Sequence, residues 1–308
     1  MTDKRVKECL ALLNELASKT SLSEEEEFIM QENLRNLFDL TGDPNYITWV
    51  GGIYYGKKKY DLALKYYEQG EALGDDWVSI GLGYIWYYGR TGKVDYEKAF
   101  HYFSKTLELK ETGIKEKDED IRRMKQQASY KIADMYKNGY YVKKDYGKYV
   151  SMIEDLYDRV GNEWYGPRSD IAVRLAGIRK EQGKTDEALE LYYTAREDLC
   201  EYLRHDRFFG NLNRMNWLVN DIYELTEFDE TEFDLYDLFY LLKDEHTVTF
   251  EYREETHEIE SRKTEEGMII RFDEKWYKDI QDFFAKANLE EDSLEYCYPY
   301  IENMEVNA

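Results

Sequence analysis

A glycine recurs at positions 56, 89, 139 and 183, each time ending an apolar-periodic stretch and leading through a short polar loop into a second one. Aligned on these glycines, the chain repeats itself. The third copy is the clearest: Ala128-x3-Ile132-Ala133-x2-Tyr136-x2-Gly139-x2-Val142-x2-Asp145-Tyr146-x-Lys148. The second reads Leu82-Gly83-x2-Trp86-x2-Gly89, then Val94-Asp95-Tyr96-Glu97-Lys98-Ala99. The fourth reads Ala172-x3-Ala176-Gly177, then Gly183, then Asp186-Glu187-Ala188. The first is degenerate at its start and ends in Gly56, Tyr60-Asp61-x-Ala63 and Tyr66-Tyr67.

Each copy predicts a helical hairpin. The glycine supplies the left-handed residue that ends the first helix. Asp61, Asp95, Asp145 and Asp186 fall where the second helix begins, and negative charge is favourable there. Gly83, Ala133 and Gly177 are small enough to let two helices approach, with large aromatics filling the space beside them. One hairpin leaves an apolar face bare, so such units must stack. A chain of 308 residues is long enough for an array or for two domains.

These residues resemble the Sel-one-like repeats, a subfamily of the tetratricopeptide repeats with a longer turn between the two helices. The resemblance spans about residues 45–200. It implies a mostly α fold, a right-handed α-solenoid of stacked helical hairpins, and it implies an interaction module. The sequence departs from the pattern in two ways. The marker glycines lie 33, 50 and 44 residues apart, with the charged stretch 110–119 accounting for most of the first excess. Tyr149 stands where the repeat has alanine, which bears on how tightly that hairpin closes.

Upstream, residues 3–19 put Val6, Leu10, Leu13, Leu16 and Ala17 on one helical face. Ser23 and Glu26 form a capping box for a second helix that Gly42 stops, and Pro44 suits the first turn of the next. Downstream, residues 211–243 still read as helical, and then the period changes. Val248, Phe250 and Tyr252 alternate with polar residues, and residues 268–272 form a second extended run, which predicts a β-hairpin or small sheet across a charged, turn-prone connection. Trp276, Ile280, Phe283, Phe284 and Ala287 then share a helical face, and residues 294–306 read as a segment packing back to close the array. The expected division is residues 1–42 as an N-terminal helical hairpin, 43–243 as the repeat solenoid, and 244–308 as a small α+β cap containing the β-hairpin.

Composition narrows function mainly by exclusion. A count of 42 Lys+Arg against 65 Asp+Glu gives a net charge of −23. That field repels nucleic acid, whose binding rests on neutralised phosphates, and steers cationic partners inward. Apolar runs fall far short of the roughly 20 residues needed to cross a bilayer, and the N-terminal helix is amphipathic rather than an export signal, so a cytoplasmic location is expected. Cys9, Cys200 and Cys297, with His101, His205, His246 and His257, complete no zinc-ligand spacing, and no cofactor is expected. Gly51-x4-Gly56-Lys57-Lys58 lacks the hydroxyl a phosphate loop needs at its last position. Gly81-Leu-Gly83 lacks a third glycine at the required spacing, so close helix packing is the better reading. No Ser/His/Asp or Cys/His arrangement emerges, His257 reads as a surface residue, and the chain is not expected to be an enzyme.

What remains is recognition. Trp49, Tyr54, Tyr55, Tyr84, Tyr87, Tyr88, Tyr136 and Tyr140 lie on first helices, which the family resemblance places on the concave surface. Part of this set must be core. The candidate partner-binding residues are Trp49, Tyr54, Tyr55, Tyr87, Tyr88, Tyr136 and Tyr140, because aromatic rings give large contact area at little entropy cost. Residues 221–260 hold fifteen acidic residues against Lys243 and Arg253, a solvated acidic face or a docking surface for a basic partner. The expected function is a non-catalytic scaffold that binds a protein or peptide. The alternative is an acidic neutraliser, of immunity or inhibitor type, of a cationic protein.

Overall fold

A computed structural model describes residues 2–19, 22–161, 167–205 and 207–307. The chain forms two compact units, Met1–Pro167 and Arg168–Ala308. The first unit holds eight helices: α1 (Thr2–Ala17), α2 (Glu24–Thr41), α3 (Asn45–Gly56), α4 (Tyr60–Ala72), α5 (Val78–Tyr88), α6 (Tyr96–Leu107), α7 (Lys115–Asn138) and α8 (Tyr146–Val160). Each packs chiefly on the next in sequence, so the expected hairpins α3/α4, α5/α6 and α7/α8 are present. The fourth, α9 (Arg168–Glu181) with α10 (Thr185–His205), belongs to the second unit.

The hairpins share a register of small and large residues. Five residues before the end of each first helix stand Gly51, Gly83, Ala133 and Ala176, all buried. At the fourth position of each second helix stand Ala63, Ala99, Tyr149 and Ala188, and four residues on come Tyr67, Phe103, Ile153 and Tyr192, all buried. A Cβ on Gly83 would lie 2.5 Å from Phe103, and one on Gly51 would lie 2.7 Å from Tyr67. Tyr67 also touches Gly81 of the next hairpin, again at 2.7 Å from a Cβ there. The close-packing reading of Gly81 and Gly83 therefore holds. Tyr149 is accommodated by exchange: where the alanine becomes a large ring, the ring four residues on becomes the smaller Ile153.

Three local expectations need correction. Gly177 faces open space, and its neighbour Ala176 takes the close-approach position. Gly89, Gly139 and Gly183 have positive φ as expected, but Gly56 lies within the last turn of α3, and Lys58 is the left-handed residue there. Asp95 and Asp145 cap their helices by accepting from Lys98 N at 3.0 Å and Lys148 N at 2.9 Å, whereas Asp61 and Asp186 sit one turn-position inside. The capping box of α2 is present, with Ser23 N donating to Glu26 at 2.8 Å.

In the second unit, α9–α11 (α11, Phe209–Tyr223) are followed by a 3-10 turn, Leu235–Asp237, and the short α12, Leu238–Leu241. The strands β1 (Thr247–Tyr252), β2 (Glu255–Thr264), β3 (Gly267–Phe272), β4 (Lys275–Tyr277) and β7 (Ile301–Asn307) form one antiparallel sheet ordered β4-β3-β2-β1-β7. The expected hairpin is thus part of a larger sheet. The charged connection between the two apolar runs is itself β2, whose inward residues Ile259 and Ser261 alternate with charged neighbours facing outward. Arg253 and Glu254, both with positive φ, make the two-residue turn from β1 to β2. Trp276 lies in β4, so the helical face after Asp273 is shorter than expected: α13, Ile280–Lys286, buries Phe283 and Phe284. Between α13 and β7 lie a two-strand ribbon, β5 (Asn288–Leu289) with β6 (Asp292–Ser293), and α14, Leu294–Cys297.

Candidate functional site

The first helices of the first unit carry a network of rings held by two cations. Arg90, just past the end of α5, places its guanidinium carbon 4.6 Å from the Tyr88 ring centre, 5.2 Å from Tyr60 and 5.9 Å from Tyr55. Its Nε donates to the Tyr55 hydroxyl at 3.3 Å. Lys131, on α7, is buried, and its ammonium donates to the Tyr88 hydroxyl at 2.6 Å. The same ammonium lies 5.0 Å from the Tyr87 ring, 5.4 Å from Tyr130 and 6.0 Å from Tyr84, with Asp134 at 3.6 Å. A desolvated cation over aromatic faces is worth about 2 kcal/mol or more. That attraction, with Asp134, explains why a lysine is tolerated inside the packing.

The network continues into the third hairpin. Tyr140 stacks on Tyr96 at 4.0 Å and meets Tyr87 at 6.3 Å. Two equivalent clamps repeat along it: Lys98 sits 3.9 Å over Trp86, and Lys148 sits 3.9 Å over Tyr136. In each, the capping aspartate's own N–H donates back to the clamped residue's carbonyl, Asp95 to Trp86 at 3.0 Å and Asp145 to Tyr136 at 2.9 Å. The two long turns are therefore anchored alike at both ends, by a left-handed glycine and a capping aspartate, and differ between them, where the second left-handed residue is Gly92 in one and Tyr141 in the other.

Of the seven candidate residues, Tyr55, Tyr87, Tyr88 and Tyr140 come together in this network, and Tyr136 lies beneath Lys148. Tyr54 belongs to a separate stack, 5.4 Å from Tyr66, on which Arg35 also rests at 5.6 Å. Trp49 stands apart, 43% exposed, with no ring or cation partner among the described residues. Tyr88 keeps 42% of its surface exposed despite its contacts. Sequence reasoning missed Arg90 and Lys131. The available signal was a charged residue inside the buried run from Ala128 to Met135.

The second unit offers other chemistry. Glu295 of α14 is fully buried, and neither carboxylate oxygen has a hydrogen-bond partner among the described residues. Burial pushes it up to about 8 against the pull of Arg207, whose Nη1 lies 3.9 Å away. An open cleft of about 580 Å³ has Phe239, Leu242, Met268 and Ile270 along it and Lys243, Lys278 and Asp279 at its polar positions. Glu295 does not line it. His257 is not a free surface residue: it packs 5.3 Å from Phe250, and its Nδ1 lies 2.9 Å from Asp273.

Part of the acidic stretch 221–260 is engaged within the protein. Asp234 and Asp237 close a capping box beneath Arg196, which reaches them at 2.7 and 3.0 Å. Glu224 pairs with Lys180, and Glu258 and Glu260 are both held by Arg271.

No family model matches the sequence, and no curated protein matches it either. Among solved structures, the chain is similar to c5321, a protective antigen present in uropathogenic Escherichia coli strains displaying an SLR fold. The identity is 17% and the TM-score 0.30, over 73% of this chain and 50% of that one. This chain spans about half the length of that protein. At so low a TM-score the likeness adds nothing to the hairpin register, which describes the repeat by itself.

Proposed function

We propose that the protein is a non-catalytic scaffold that holds a protein or peptide on the first helices of its repeat hairpins. The observation that carries this reading is the ring network itself. Arg90 and Lys131 fix Tyr55, Tyr87 and Tyr88 in place before any partner arrives, while Tyr88, and Trp49 apart from the network on α3, keep exposed area. Rings already immobilised lose little further freedom on binding, which is where aromatic contacts gain affinity.

The test compares variants rather than capture alone. Proteins recovered from the native cell by the wild type are quantified against those recovered by Trp49→Ala and Tyr88→Ala, with Trp217→Ala as the control, since Trp217 is 67% exposed in the second unit. The reading expects a set of proteins lost from the first two variants and kept by the third. Identical recovery by all of them removes it.

A further inference from the structure

The lysines of this acidic chain are unevenly placed. Residues 57–61, 89–98 and 137–148, which make the turns within the first three repeat hairpins and the helix ends beside them, hold ten Lys and Arg against four Asp and Glu. Two of those four acids, Asp95 and Asp145, are occupied as helix caps. The turns lie side by side. Arg90 of the second covers Tyr55 and Tyr60, which flank the first, and Tyr96 and Phe100 beside the second meet Tyr140 and Tyr141 of the third at 4.0 and 5.6 Å. Along this edge Lys59, Lys93, Lys98, Lys143, Lys144 and Lys148 are exposed, and none has a carboxylate partner among the described residues. Elsewhere lysines such as Lys105, Lys180, Lys184 and Lys286 find one. Exposed Val94, Tyr141 and Tyr146 lie among them.

We infer that this turn edge docks a short acidic segment of a partner protein, its carboxylates met by the lysines that lack a carboxylate partner and its intervening side chains by the exposed rings. Adjacent helices pack 8–10 Å apart, so three neighbouring turns span roughly 20 Å, the reach of about six extended residues. Length is what selects a segment over a long polyanion. At the first hairpin the edge ends against α2, where Lys57 is bonded to Glu27 and Glu24, Glu25 and Glu26 precede it. A nucleic acid running past that point enters repulsive surface of a molecule carrying −23. The inference rests on the scaffold reading only in taking the partner to be a protein, and the lysines reversed in its test, Lys59, Lys93, Lys143 and Lys144, lie outside the ring network.

The test is fluorescence anisotropy of fluorescein-labelled hexaglutamate with the full chain at low salt. Saturable binding is expected, weakened about tenfold by Lys143→Glu with Lys144→Glu, and similarly by Lys59→Glu with Lys93→Glu, as attractions become repulsions. Reversing Lys115 and Lys117, at the other end of α7, supplies the same change in net charge and is expected to leave the affinity within about twofold. Trp49→Ala is also expected to leave it unchanged, so a failure of the scaffold reading and a failure of this one appear in different variants. Far-UV circular dichroism checks that each variant is folded. Absence of saturable binding overturns the inference, as does an equal loss from the Lys115/Lys117 reversal. Tighter binding of hexathymidylate or of phosphatidylserine vesicles than of hexaglutamate also overturns it.

Discussion

Replacing Glu295 by glutamine should make the protein more stable, and by an amount that depends on pH. The side chain is fully buried, its oxygens lack hydrogen-bond partners among the described residues, and the Arg207 guanidinium, 3.9 Å away, is not close enough to hold it ionised. Burial raises its carboxyl from 4.5 in the open chain to about 8 when folded. An acid that keeps its proton longer in the folded state makes folding proton-consuming. Stability therefore falls as pH rises from about 4.5 to about 8, and the loss is constant above that. At 1.36 kcal/mol per pH unit the interval sets a ceiling of about 5 kcal/mol, and relaxation or water entry should reduce this to about 2–3 kcal/mol. Glutamine has nearly the same shape and no such ionisation. Denaturant unfolding of both proteins at pH 4.5, 6, 7 and 8.5, followed by tryptophan fluorescence, reads the difference directly. The two should agree at the lowest pH and diverge in the variant's favour as pH rises. A pH-independent difference, or a variant less stable at pH 8.5, would mean that Glu295 is ionised and paired with Arg207, and the reasoning would be wrong.

Gly83→Ala should destabilise by about 1–3 kcal/mol, because the added methyl would fall 2.5 Å from Phe103. Gly177→Ala, also within a helix but facing open space, should stabilise by about 0.5–1 kcal/mol. Thermal unfolding of the pair checks both signs at once, and equal effects would refute the packing assignment. Arg196→Met should cost about 3–5 kcal/mol, since Asp234 and Asp237 would lose the cation that lies over both. A loss under about 1 kcal/mol in urea unfolding would show those carboxylates to be satisfied by the capping box alone.

The hairpins were legible because their markers are local. A left-handed glycine and an N-terminal aspartate act within one turn, and Gly89, Gly139, Asp95 and Asp145 do what their positions imply. The errors have physical causes. Gly177 reads as the small packing residue, but Ala176 beside it points about 100° away on the helix, and only packing decides which faces the partner. β2 reads as a charged loop because its inward set includes Ser261, whose hydroxyl is satisfied by the Asp244 carbonyl. The candidate site was legible as a set of rings on first helices but not as a network. Lys131 meets Tyr88 from 43 residues away, and no periodicity in a single helix encodes that meeting. Within the acidic stretch, Asp234, Asp237 and Glu260 are taken up by a cap, Arg196 and Arg271, pairings that a count of charges does not reveal.

Tyr67 lies against Gly51 of its own hairpin and Gly81 of the following one. This makes the junction directional. The position of Gly81 in α5, eight residues ahead of the helix-ending glycine, corresponds in α7 to Lys131. A tandem copy of the first hairpin would find its glycine partner only if inserted immediately before α5. Gene duplication lengthens a repeat array cheaply when every joint is interchangeable, and here the joints are keyed. The number and order of these hairpins should therefore be inherited as a block, with variation confined to the turns and exposed rings rather than to the count of repeats.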